Sequence, residues 1–207
     1  MRALFFAAAM MAASICASSP QPALAQPEAA AAGAQRFVLD PAHTQAAFSV
    51  GRFGYNHVLG RFDTISGEVM LDQANPERSS VTATIQTASI STGNDTRNEH
   101  LRGANWFNAA EFPTMEFRST AVTRTGENTA DVTGDMTIRG VTQPVTLHVT
   151  LNATGQSPSN GASVAGFSAT ATLSRTAFGV GTPRPPTTLI PDEVEIRIEA
   201  LGEAPRG

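Results

Sequence analysis

Residues 145–151 read Val-Thr-Leu-His-Val-Thr-Leu, and this stretch decides the fold. In an extended chain, successive side chains point to opposite faces. Val145, Leu147, Val149 and Leu151 therefore share one face, with Thr146, His148 and Thr150 on the other. Such alternation, built from Val, Leu and Thr, is the pattern of a half-buried antiparallel strand. It recurs upstream in Val69–Leu71, in Val81-Ala83-Ile85 against Thr82-Thr84-Gln86, and around Met115-Phe117 and Met136-Ile138. Downstream it recurs in Phe167-Ala169-Ala171-Leu173 and Val194-Ile196-Ile198. Eight or nine such segments are expected, with turns at Gly67, Gly93, Gly126, Gly140, Gly155 and Gly161.

Residues 96–108 break the alternation. Thr96 and Glu99 have the spacing of a capping box, so a short helix is expected from about Arg97 to Asn105, followed by a turn carrying Trp106-Phe107. Phe112-Pro113 then leads into the next strand in extended form. Residues 155–163 make a polar hairpin tip, and residues 181–191 hold four prolines, which predicts a stiff irregular segment.

One helix and many antiparallel strands leave a barrel or a sandwich. Several alternating positions are small (Ala46, Ala83, Gly134, Ala169, Ala171), whereas a solid sandwich core needs larger residues to reach native packing density. Small residues with peripheral phenylalanines suit an up-and-down barrel of about eight strands around a cavity.

The chain's ends and composition narrow the class. Residues 1–25 read as a signal peptide: Arg2, then an apolar stretch from Ala3 to Ala17, then Ala23-Leu24-Ala25 as a small-x-small cleavage site. The expected organisation is signal peptide 1–25, flexible leader 26–35, barrel 36–201 and polar tail 202–207, with a periplasmic destination. Cys16, the only cysteine, lies inside the signal, which excludes a disulfide scaffold, a thiolate metal site and a cysteine nucleophile from the mature chain. Ala13-Ser14-Ile15 before it fits lipid attachment poorly, because bulky Ile15 adjoins the cysteine. All 14 basic residues are arginine, and the formal net charge is −4. Without a basic stripe, nucleic acid is a poor partner. No apolar run after the signal is long enough for a transmembrane helix. An outer-membrane barrel is disfavoured because the outward alternate positions carry Thr, Glu, Arg and His.

Catalytic patterns are scarce. His43, His57, His100 and His148 lack metal-ligand spacing, and no nucleophile elbow or phosphate-binding glycine loop occurs. His148 reads as a surface histidine and His43 as a partner of backbone or Asp40. Arg97 and His100, three residues apart on the expected helix, share a face and serve either as a polar clamp onto the sheet or as ligand contacts. No cofactor and no metal is expected, and nothing argues for an enzyme.

In sequence order, several blocks resemble the YceI-like family of secreted bacterial lipid-binding proteins. They are Phe37-Val38-Leu39-Asp40-Pro41-Ala42-His43-Thr44 with Phe48-Ser49-Val50, then Val58-Leu59-Gly60-Arg61-Phe62. Arg97-Asn98-Glu99-His100-Leu101 leading to Trp106-Phe107-Asn108 and Phe112-Pro113 follows, then the run Val132 to Thr142. Gly166-Phe167-Ser168-Ala169, Ser174 to Gly179 and Asp192-Glu193-Val194 close the match. The resemblance implies a lipocalin-like antiparallel barrel that holds a polyisoprenoid or similar long-chain lipid, often as a homodimer. Three features depart from the family pattern: Arg52 where a histidine is common, Asn98 for an aspartate, and the proline-rich loop.

The leading expectation is thus periplasmic binding or transport of an isoprenoid or fatty lipid. The alternative is an enzyme or redox-accessory protein acting on a bound isoprenoid quinone. Expected cavity residues are Phe48, Val50, Phe62, Trp106, Phe107, Met115, Phe117, Met136, Ile138 and Phe167, with Arg52, Arg97 and His100 at the polar end.

Overall fold

The computed structural model describes residues 33–181 and 189–205. The expected signal peptide, most of the leader and the centre of the proline-rich segment lie outside the described residues.

Alternation becomes strand throughout. The strands are β1 (Gln35–Leu39), β2 (Gln45–Arg52), β3 (Asn56–Phe62), β4 (Ile65–Leu71), β5 (Ser80–Gln86), β6 (Ile90–Ser91) and β7 (Thr114–Arg124). They continue as β8 (Thr129–Ile138), β9 (Val141–Gln156), β10 (Ser163–Ser174) and β11 (Glu193–Glu203). The ordered strands therefore begin at Gln35 and run to Glu203, slightly beyond the expected 36–201. Each pairs antiparallel with its neighbours, and β1 against β11 closes the sheet.

Eleven strands make eight staves. β2 pairs with β3 while β1 pairs with β4, so two bent staves form one long hairpin. The third stave is β5 with β6, which pair with β4 and β3. Polar groups hold the bends. Asp40 accepts hydrogen bonds from the backbone N–H of Ala42 and contacts His43 Nδ1 at 2.6 Å. The Asp63 N–H donates to Ser89, and the Gln86 N–H to Thr64. Bulges at Ser119/Ala121 and Gly166/Phe167 add curvature.

Two glycines expected in turns lie within strands, Gly67 in β4 and Gly155 in β9. Gly67 is there because a Cβ would sit 2.2 Å from the Thr82 carbonyl oxygen on β5. Gly93, Gly140 and Gly161 do turn the chain, each with positive φ.

Among the described residues the single α-helix, α1 (Asp95–Arg102), starts and ends earlier than expected. Asn94 caps it, its side-chain oxygen accepting from the Arg97 N–H at 2.9 Å. With Asn94 in that position the Thr96/Glu99 box is not needed, and Glu99 instead pairs with Arg102 at 2.7 Å. Gly103 ends the helix, and the following turn carries Trp106-Phe107, its Trp106 N–H bonded back to Gly103.

One end of the barrel is closed by α1, the 103–113 segment, the Arg139-Gly140 turn and the chain around Phe178. Phe62, Ile90, Met115, Ile138, Phe178 and Val180 form a buried core there, with Leu101, Trp106 and Phe107 packed on it. The opposite end carries the 72–79, 125–128 and 157–162 connections.

Candidate ligand-binding cavity

A cavity of about 790 Å³ runs through the barrel. Its wall is the inward face of the staves, and the residues of the 145–151 pattern divide as the alternation requires. Val145, Leu147, Val149 and Leu151 line the cavity, while the outward His148 contacts Asp131 at 2.7 Å. All thirteen candidate residues border this space: Phe48, Val50, Arg52, Phe62, Arg97, His100, Trp106, Phe107, Met115, Phe117, Met136, Ile138 and Phe167.

The aromatic rings do not fill the space, because several are seated on glycines. A Cβ at Gly60 would lie 2.2 Å from the Phe48 ring, and one at Gly134 2.6 Å from the Phe117 ring. Trp106 lies in the same way on Gly181, and Phe112 on Gly140. Each missing side chain lets a ring lie against the wall. Ala46, Ala83, Ala169 and Ala171 keep the remaining wall low, so the interior stays open although the lining is aromatic. Near the closed end the rings do meet, Phe62 lying 5.9 Å from Phe48 and edge-on to Phe107 at 5.6 Å.

Arg97 and His100 differ in role. The Arg97 guanidinium donates to the Thr92 hydroxyl at 2.8 Å and the Thr92 carbonyl at 2.7 Å, which fastens α1 to the chain before it. Asn98, the departure from the family pattern, joins this clamp, its buried side-chain oxygen accepting from the N–H and the hydroxyl of Thr92. His100 is exposed and stands edge-on to Trp106, with ring centroids 6.0 Å apart. Arg52 projects from the β2 tip over the Phe53 ring at 4.3 Å. Its guanidinium has no ion-pair partner among the described residues.

Three further arginines hold the closed end. Arg139 donates to the carbonyls of Ala104, Trp106 and Gly179 at 2.7–2.9 Å. Arg175, buried and bordering the cavity, donates to Val180, Gly181, Ile190 and Pro191. Arg102 reaches Ala88 and Ile90. An irregular segment cannot satisfy its own carbonyls, and the planar five-donor guanidinium supplies the missing partners. These clamps connect residues up to 40 positions apart, which explains why sequence reading misses them. The all-arginine basic set was the available signal.

The cavity also holds a hydroxyl that composition did not mark. Thr44, at the bend between β1 and β2, is buried and borders the cavity, and its Oγ1 has no hydrogen-bond partner among the described residues. At the opposite end Gln73, Arg124 and Asn128 border it. Arg124 is already bonded to the Gly126 and Glu127 carbonyls.

Electrostatically perturbed groups lie elsewhere. The hydrogen bond from His43 holds the Asp40 carboxyl below its usual range. Burial alone would push Asp192 up, but hydrogen bonds from Ser174 and Thr176 outweigh it and hold the carboxyl low. The Ser168 hydroxyl and Arg197 do the same for Glu199. None of the three borders the cavity. Among the described residues no three His, Cys, Asp or Glu side chains gather as a metal site.

A closed antiparallel eight-stave barrel around an apolar cavity is a lipocalin-like architecture, and comparison with known proteins agrees. The YceI-like domain matches residues 37–201, so the chain belongs to the YceI-like family. It is 38% identical over 143 residues to a UPF0312 protein of Pseudomonas savastanoi pv. phaseolicola, covering 69% of this chain and 74% of that one. The crystal structure of Burkholderia cenocepacia BcnA superposes with a TM-score of 0.72 at 29% identity, covering 79% of this chain and 98% of the other. A polyisoprenoid binding domain from Saccharophagus degradans shares the fold at a TM-score of 0.57 and 21% identity, over 82% of this chain and 98% of that domain.

Proposed function

We propose that the barrel binds a long-chain apolar lipid, a polyisoprenoid, isoprenoid quinone or fatty-acid derivative, and carries it in the periplasm after removal of residues 1–25. The carrying observation is the open apolar interior of about 790 Å³, kept clear by rings that lie on glycines. A methylene takes up about as much room as a liquid water, roughly 30 Å³, so the cavity accepts on the order of 25 carbon atoms. The polyisoprenoid-binding description of the Saccharophagus domain supports this ligand class.

Apolar burial supplies the affinity, at about 25 cal/mol per Å² removed from water, offset in part by ordering the flexible chain. Arg52, which borders the cavity and has no ion-pair partner among the described residues, contacts an anionic or polar head group. The reading is of binding without turnover, with the Arg97 guanidinium engaged by the Thr92 hydroxyl and carbonyl.

Trp106 is the only tryptophan and borders the cavity, so its fluorescence reports occupancy. Titration with a polyprenyl phosphate should give a saturable change. Ala169→Phe, which fills the cavity from the wall, should weaken that binding at least about tenfold, a change of about 1.4 kcal/mol. Equal binding by a folded Ala169→Phe variant would contradict an interior site.

A further inference from the structure

The β2–β3 hairpin ends in a conformation that its sequence makes costly. In the turn Arg52–Tyr55, closed by the Tyr55 N–H bonding to the Arg52 carbonyl at 3.0 Å, Phe53 has φ 56° and Gly54 φ 73°. Positive φ at both central positions suits Asn-Gly, and a bulky side chain there is an outlier. A left-handed residue is costly, and here it presents an aromatic ring at the tip.

The surroundings share that character. Among the described residues, large hydrophobic side chains are exposed at only six positions; three of them, Tyr55, Leu189 and Phe53, occupy this corner, and Leu59 lies further along β3 opposite Ser49. Tyr55 is 90% exposed, Leu59 69%, Leu189 54% and Phe53 38%. Leu189 is held there by the bond from the Phe53 N–H to its carbonyl at 2.7 Å. Charge follows the same division. Within the hairpin no Asp or Glu occurs between Asp40 and Asp63, in a chain of net charge −4, and Arg52 stacks on Phe53 without an ion-pair partner among the described residues; the neighbouring carboxylates, Asp192, Glu193 and Glu195, belong to the start of β11 and the residue before it. Arg52 and Phe53 also border the cavity, so the corner reaches the cavity lining.

We propose that this hairpin tip, with Leu189, is a docking element for an anionic lipid bilayer, bringing the cavity-lining Arg52 and Phe53 to the surface from which ligand comes. Tyr55 and Phe53 suit the headgroup boundary, where amphipathic rings settle, and Leu189 adds apolar contact. Arg52 meets the lipid phosphates. The proposal rests on the lipid-binding reading.

The test is flotation of the full mature chain with vesicles of phosphatidylethanolamine and phosphatidylglycerol, alongside vesicles of phosphatidylcholine alone. The wild type should float with the anionic vesicles and less with the neutral ones. Tyr55→Ser combined with Leu189→Ser should cut that binding by about tenfold or more, as expected for withdrawing two apolar side chains from an interface. The same double variant should take up polyprenyl phosphate from detergent micelles as the wild type does, since neither residue borders the cavity. Phe53→Asn suits the turn better, so it should lose vesicle binding while its melting temperature holds or rises. A wild type that does not float, or a double variant that floats unchanged, would overturn the docking element. Self-association through the patch without vesicle binding would overturn it as well, assigning the corner to a second copy. Failure of uptake from micelles by the wild type would instead count against the lipid-binding reading.

Discussion

At the scale of single residues, the closed end depends on guanidinium groups donating to carbonyls. Arg175 is the most enclosed of them, with four carbonyl acceptors. Arg175→Met leaves those oxygens without donors, and the expected loss is about 3 kcal/mol in urea denaturation, at the upper end for buried polar groups. Arg175→Lys should recover little, because an ammonium lacks the planar fork. Thr44 predicts the opposite sign. Its buried hydroxyl has no partner among the described residues, so Thr44→Val should raise stability by about 1 kcal/mol in the same assay. Asp192 adds a pH dependence. Its folded-state pKa is lowered, so the folded form holds its proton less readily than the unfolded chain. The resulting stability is fully present above the ordinary aspartate range and is lost as pH falls through that range towards the folded-state value. Denaturation midpoints followed from neutral to acid pH should therefore fall less steeply for Asp192→Asn than for the wild type.

At the scale of elements, the spacing of ring and glycine decides how much space the barrel encloses. Phe48 on β2 lies over Gly60 on β3, so Gly60→Ala forces the ring off the wall and into the cavity. The expected result is a folded protein whose affinity for polyprenyl phosphate falls about tenfold, read by Trp106 fluorescence. This level also separates what sequence reading reaches from what it does not. The alternation in 145–151 is local, so it is visible in a short window and the strand follows directly. Asn94 shows the limit for helix boundaries. Several capping residues stand in a row from Asn94 to Thr96, and only the geometry of the preceding strand selects the one that caps. The bends that divide two staves at residues 40–44 and 63–64 were likewise hidden, because they depend on bonds to distant strands. The cavity-facing apolar set was more legible than the roles of the polar candidates. An inward face follows from period two, whereas the fate of Arg97 depends on Thr92 being within reach.

At the scale of the whole molecule, the eight staves close by β1 pairing with β11, so the sheet has no long free edge and needs no cysteine to hold it. Small residues and wall-lying rings leave an apolar interior that solvent alone fills poorly, and a long hydrocarbon fits it. The central claim is that such a molecule occupies the barrel. Native mass spectrometry of the protein purified gently from its own host tests it most directly. The account predicts a stoichiometric adduct with the mass of an isoprenoid or fatty lipid, absent from an Ala169→Phe variant prepared in the same way. A protein that arrives empty and takes up no prenyl lipid when offered it would contradict the account.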